Sequence, residues 1–172
     1  MPPWTLRAVR PDDAEVISVV LDEGFASYRS FAPQGWEPPA DELEPLRTRL
    51  GDPDVWCIVA EAGGGLAGHV SLMPASSHRR WPSPRPDLGH LWQLFVRPAF
   101  WGTGLATELH TRMVCEADIR GFREMRLFTP VGQSRARRFY EREGWCSVGD
   151  PFDERGFGME LLEYRRPISI SV

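Results

Sequence analysis

The sequence predicts an α/β (α+β) fold: one mixed central sheet of about six to seven strands, flanked by about four helices, in a single domain over residues 1–172. Three observations carry this. A strand–turn–helix–strand–helix order between residues 90 and 143 implies a parallel crossover. Apolar runs before and after it pair through short turns and are therefore antiparallel. The 172 residues, 42% of them apolar, suffice for one core and are too few for two comfortable ones.

The elements follow in order. Trp4–Val9 reads as a first strand. Pro11, Asp12 and Asp13 then place proline and acids where a helix start favours them. Ala14, Ile17, Leu21 and Phe25 recur at helical spacing, predicting a helix to about Gly24. Prolines 33, 38 and 39 break Ser27–Ala40 into a loop or short irregular helix, and a short helix over Asp41–Leu50 ends at Gly51. Val55–Ala62 and Leu66–Met73 form a hairpin around Gly63, Gly64 and Gly65. Pro74–Asp87 carries four prolines and no periodicity. It is a long loop, and such loops in compact domains tend to be functional. His90–Val96 has little polar alternation and suits a central strand. A helix with Leu105, Leu109, Met113 and Ala117 on one stripe stops at Gly121. Met125–Thr129 is a strand and Ser134–Glu143 a helix capped by Gly144. Cys146–Val148 and Phe157–Tyr164 are strand-like and close the chain.

Composition excludes several chemistries. The net charge is -4, which argues against a nucleic-acid binder. All 20 basic residues are arginine, so no lysine is present to form a Schiff base, complete a P-loop or act as general base. Cys57, Cys115 and Cys146 show neither metal spacing nor a disulfide framework. Cys57 and Cys115 sit in apolar-periodic segments and read as small core residues. The four histidines form no HxxxH pair, so no metal is expected. Neither a signal peptide nor a run long enough to span a membrane is visible. The expected setting is the reducing cytoplasm, with no membrane partner.

The segment richest in chemistry is a buried strand running into Trp101-Gly102-Thr103-Gly104-Leu105-Ala106 and then a long amphipathic helix. Two glycines let the backbone approach a ligand, and the unpaired N–H groups of a first helical turn make an anion pocket suited to a pyrophosphate. Alone, such a turn also fits a plain helix start or a nucleotide binder. A dinucleotide fold wants a third glycine after the first strand. Here the strand is late, and Thr107 occupies that position.

The run WGTGLA resembles the coenzyme A pyrophosphate loop of the GNAT superfamily of N-acetyltransferases. Gly104 and Ala106 match its small positions, while Trp101 stands where Gln or Arg is usual. Val96-Arg97-Pro98 is similar to the family's Val-x-Pro after its fourth strand. Gly132–Trp145 (GQSRARRFYEREGW) resembles the second family motif through Ala136, Phe139, Tyr140, Glu141 and Gly144, with Gln133 in place of Asn and Trp145 in place of Phe. The motif-bearing core spans residues 88–146.

The resemblance implies a GNAT-like fold whose fourth and fifth strands splay apart, so that a pantetheine arm adds between them. It implies acetyl-coenzyme A as co-substrate and direct attack by a primary amine in a ternary complex. By position, the N–H groups of Phe95 and Val96 would hold pantetheine and the acetyl group. Those of Trp101, Gly102, Thr103, Gly104, Leu105 and Ala106 would hold the pyrophosphate, with Gln133 also on the cofactor side. Tyr140 matches the family tyrosine that protonates the departing thiolate. For the base, His90 leads because histidine titrates near working pH, with His69 and Glu61 as rivals and a water chain as the alternative to any side chain.

Acceptor identity is expected to lie in two loops. One offers Tyr28, Phe31 and Trp36, followed by Asp41, Glu42 and Glu44, which suit a cationic amine. The other offers His78, Arg79, Arg80, Trp81 and Arg85, which suit a carboxylate or phosphate. Small-molecule and peptide amines both remain open. Arg135, Arg137 and Arg138 form either a solvated helix face or contacts to a cofactor phosphate. A homodimer through the terminal strands is a family habit. The competing readings are a non-catalytic acyl-coenzyme A sensor and a nucleotide-dependent enzyme.

Overall fold

The computed structural model describes residues 1–43, 46–154 and 156–168. Its strands are β1 (Thr5–Ala8), β2 (Trp56–Ala62), β3 (Gly65–Pro74), β4 (Leu88–Val96), β5 (Glu124–Pro130), β6 (Cys146–Asp153) and β7 (Glu160–Pro167). The helices are α1 (Ala14–Ala26), α2 (Ala40–Leu43), α3 (Leu46–Leu50), α4 (Leu105–Ile119) and α5 (Ser134–Arg142). The strands make one mixed sheet in the order β1-β2-β3-β4-β5-β7-β6. Every neighbouring pair is antiparallel except β4 and β5.

Two apolar clusters cover the two faces. On one, the α4 stripe Leu105, Leu109 and Met113 packs with α5 against Val70, Leu72, Leu91, Met125 and Leu127. On the other, Ile17, Leu21 and Phe25 of α1 and Leu46 of α3 pack against Val59 and Leu161. The alternation of side chains along β3 to β5 divides them between these clusters. Polar ties fix the helices. Trp145, buried, donates its indole N–H to His110 Nε2 at 2.9 Å. Arg97, just past β4, clamps Glu23 of α1 through two bonds of 2.9 and 2.6 Å.

The main departures from the sequence expectation have local causes. Cys57 is buried as expected, but Cys115 is exposed. It lies two residues from Met113, about 200° round the helix from the buried stripe. The α1 helix runs on to Ala26, past the expected end near Gly24, and the irregular helix allowed for after it is a 3-10 turn through Ser30. Strand β7 starts at Glu160 rather than Phe157, because Gly156 and Gly158 adopt positive φ (87° and 85°) and turn the chain there. Strand β6 reaches Asp153, with an irregular register between Val148 and Phe152. The loop after β3 contains a 3-10 turn, Ala75–Ser77.

Candidate active site

Strands β4 and β5 pair over three residues only, Leu88–His90 with Glu124–Arg126. Beyond that apex they diverge, leaving a V-shaped slot through the sheet. On its other side β4 stays paired with β3 up to Val96, with a bulge at Trp92. Pairing explains which backbone groups face the slot. The N–H of Arg97 donates to Ala67 O of β3 at 2.9 Å, and strand groups alternate sides. The N–H and C=O of Phe95 therefore turn toward β3, while those of Leu94 and Val96 face the slot. This corrects the expectation for Phe95, whose contribution is its ring against His69, with centroids 6.0 Å apart. Leu94, in turn, was not foreseen.

The slot opens into a cleft of about 720 Å³, lined by residues of both faces. On the α4 and α5 side the wall includes Trp101, Gly102, Gly104, Ala106, Gln133 and Tyr140. Gly102 and Gly104 hold positive φ (74° and 92°), and a Cβ on either would point into open space. Glycine is required there by conformation, and the surface it leaves is bare backbone. The N–H groups of Trp101 and Thr103 are used internally, by Pro98 O at 3.1 Å and Phe100 O at 3.4 Å. The Leu105 N–H donates to Thr103 Oγ1 at 3.5 Å, so the expected anion cradle narrows to Gly102, Gly104 and Ala106. Thr103 Oγ1 closes the turn by donating to Phe100 O at 2.6 Å. The Leu105 side chain is core.

Trp101 explains its own departure from Gln or Arg. Its indole N–H donates to Val96 O at 2.7 Å, and Arg135 of α5 stacks on its ring at 3.3 Å from the centroid. Arg138 also lines the cleft, whereas Arg137 is turned inward onto Val131 O and the Tyr164 hydroxyl. Tyr140 packs edge-on against Phe139 and Trp145. Its hydroxyl has no hydrogen-bond partner among the described residues, and burial raises its pKa above the phenol range. Such a group stays protonated and free to donate. Thr129 donates to Gln133 Oε1 at 3.2 Å, fixing that side chain beside the slot.

A slot that exposes alternate strand groups and ends at an N–H cradle fits a pantetheine arm and a pyrophosphate. The model of the acetyltransferase (GNAT) family matches residues 21–145. The chain belongs to that family. Its fold is similar to the PaiA N-acetyltransferase of Thermoplasma acidophilum in complex with coenzyme A, at 17% identity over 95% of this chain and 98% of that one, TM-score 0.74. It also resembles yncA of Salmonella typhimurium with its cofactor acetyl-CoA, at 19% identity over 98% and 96% of the two chains, TM-score 0.71. An acetyltransferase from Thermus thermophilus is 23% identical over 95% and 96%, TM-score 0.68. No curated protein matches.

The other end of this GNAT cleft lies on the α1 and α3 face, next to the apex. His90 is there, buried, with its ring 4.4 Å from that of His78. Arg126 Nε donates to His90 Nδ1 at 3.1 Å. Arginine stays protonated, so the imidazole proton is on Nε2 and neither nitrogen can accept another. Burial, with His78 and Arg126 adding to it, holds the His90 pKa well below 6.5. The base role expected of His90 does not fit this geometry. Glu61 lies across the sheet, bonded to Arg7 at 2.7 Å. His69 is sealed beneath Phe95, facing Gln93 Oε1 at 2.9 Å. Gln93 itself lines the cleft.

The remaining acceptor-end lining was only half legible. Tyr28, Glu42 and His78 line the cleft as the loop readings anticipated, while Phe25, Glu154 and Phe157 were not singled out. Phe31 and Trp36 back Tyr28, with centroids 5.2 and 5.8 Å away. Glu44 and the Asp41 side chain lie outside the described residues. Among those residues no helix is long and apolar enough to cross a membrane.

Proposed function

We infer that the protein is an N-acetyltransferase that transfers the acetyl group of acetyl-coenzyme A to a primary amine by direct attack. The observation that carries this is the β4–β5 slot, with the Leu94 and Val96 backbone groups turned into it and the glycine cradle at its end. The co-substrate supplies an activated acyl thioester. The Val96 N–H binds the arm and stabilises developing negative charge on the carbonyl oxygen. Gly102, Gly104 and Ala106 hold the pyrophosphate through backbone N–H groups. Tyr140 donates its phenolic proton to the leaving sulfur. The proton of the incoming amine leaves through cleft water, since His90 has no open lone pair. Three free cysteines suit a cytoplasmic setting.

Calorimetric titration with acetyl-coenzyme A, with ATP and NAD as controls, tests the donor. Micromolar binding of the first alone is expected, followed by coenzyme A release on adding amines. Binding of ATP or NAD instead would return the cradle to a nucleotide-dependent reading. Tight acetyl-coenzyme A binding with no release across a wide amine panel would favour a sensor.

A further inference from the structure

We propose that Trp101 and Arg135 form a latch across the open end of the β4–β5 slot, which acetyl-coenzyme A must part in order to seat its arm. This goes beyond the acetyl-transfer reading and rests on its assignment of the slot to the cofactor. The two strands pair only near their starts and diverge toward their C-terminal ends. Trp101 lies in the turn after β4, and Arg135 in the first turn of α5 after β5. Their contact, with the guanidinium carbon 3.3 Å from the ring centroid, therefore spans the gap that the diverging strands leave. Both residues line the cleft.

The latch engages the same backbone group that an entering arm would use. The Trp101 indole N–H donates at 2.7 Å to Val96 O, which faces the slot. A chain that adds to β4 as a strand needs that carbonyl as its acceptor and the Val96 N–H as its donor. Because the oxygen faces the slot, whatever bonds to it there stands in the arm's way. The indole also bridges the stretch from Val96 to the glycine cradle beginning at Gly102, which is the path from arm to pyrophosphate. Arm and indole thus compete for one place.

The pair can open without disturbing the fold. The Trp101 backbone is held independently of its side chain: its N–H donates to Pro98 O at 3.1 Å, and Thr103 Oγ1 closes the turn onto Phe100 O at 2.6 Å. Only side-chain torsions need turn, and Trp101 is already 42% exposed. Desolvation lowers the Arg135 pKa and no carboxylate offsets it, so the ring is what holds the guanidinium. One hydrogen bond and one cation–π contact keep the latch shut, and at a surface both are weak enough to break and re-form. The Gln or Arg usual at position 101 would bring no ring for Arg135 to stack on. The latch therefore belongs to the departure this chain makes there.

Stopped-flow mixing of the full chain with acetyl-coenzyme A, paired with calorimetry, tests the latch; Trp92, which lines the cleft, stays as a fluorescent reporter in every variant. Trp101→Phe removes the indole N–H and keeps a ring under Arg135. Trp101→Ala removes both contacts. Apparent affinity is reduced by the fraction of molecules that are open. Freeing the latch should therefore tighten binding about 5-fold in Trp101→Phe and about 20-fold in Trp101→Ala. The gain is expected in the association rate, with dissociation nearly unchanged. Arg135→Lys keeps the charge, loses the flat stack and should also speed association, which decides the matter should the Trp101 variants misfold. Unchanged or weaker acetyl-coenzyme A binding in the folded variants overturns the proposal. Failure of the acetyl-transfer reading looks different: neither the unaltered protein nor any variant would bind acetyl-coenzyme A.

Discussion

Replacing Tyr140 by phenylalanine separates chemistry from packing more cleanly here than at most buried tyrosines. The hydroxyl has no hydrogen-bond partner among the described residues, so its loss orphans no buried donor or acceptor. The ring keeps its neighbours, Phe139 at 5.4 Å, Trp145 at 5.9 Å and Tyr164 at 6.5 Å. Stability should therefore change by no more than about 0.5 kcal/mol. A general acid is worth roughly 10²–10⁴ in rate. A thiolate whose parent thiol has a pKa of about 8.5 leaves without strong proton assistance, which puts the expected loss at the low end. We expect kcat to fall about 100-fold, near 2.7 kcal/mol of barrier, with acetyl-coenzyme A affinity unchanged. The pH profile adds a second readout. Burial raises the phenol above its ordinary value of 10, so the acid form persists up to that pH. Activity should rise with pH as the amine acceptor loses its proton, with no descending limb below pH 10. Steady-state rates from pH 6 to 10, with calorimetry of both proteins, decide it. Unchanged turnover in Tyr140→Phe would refute the reasoning and leave the ring as packing.

Three further outcomes follow. Gly104→Val forces a branched residue into φ 92° and fills the cradle, so a loss of about 1–3 kcal/mol in stability should accompany a much larger loss of acetyl-coenzyme A affinity; near-normal affinity in a folded variant would remove the loop from the site. Gly24→Ala would put a Cβ 2.1 Å from the Phe95 ring. Overpacking of about 1–3 kcal/mol should appear as a lowered thermal midpoint and a raised KM, and an unaffected KM would show that Phe95 is no working wall. All four histidines are buried, and burial lowers His69 and His110 to about 4 and His78 to about 3. A lowered pKa means the unfolded chain binds more protons below pH 6.5. Stability should therefore fall as pH drops from 6.5 toward 4, by up to about 1.4 kcal/mol per pH unit for each histidine. Denaturant midpoints that stay flat from pH 7 to 5 would contradict this.

The fold was legible because its determinants are local. Period-two and period-3.6 patterns, with Gly121 and Gly144 as stops, located the elements from β1 to α5 to within a few residues. The cofactor end was legible for a related reason: the glycine turn and the helix after it are contiguous, and their chemistry is backbone chemistry. Errors there came from hydrogen bonds that spacing does not reveal. Whether Phe95 or Leu94 faces the slot depends on pairing with β3, which a one-residue slip would reverse. Trp101 and Thr103 spend their N–H groups inside the turn.

The acceptor end was opaque because it is assembled from distant pieces. Phe25 and Tyr28 belong to the end of α1 and the turn after it, Glu42 to α2, His78 to a proline-rich loop, and Glu154 and Phe157 to the turn after β6. No motif can span such separations. The same holds for protonation. His90 looked like a base because isolated histidine titrates near neutrality, yet its one acceptor nitrogen is taken by Arg126, from a strand 36 residues away. That pairing occurs at the β4–β5 apex, where the two strands are still in register. The contact that disqualifies His90 as a base thus sits in the short stretch of pairing that fixes where the slot begins. Ending the pairing one residue earlier, at Gly89 and Met125, would remove this contact and shift the start of the slot together, which is why a histidine at this strand position reads as architecture.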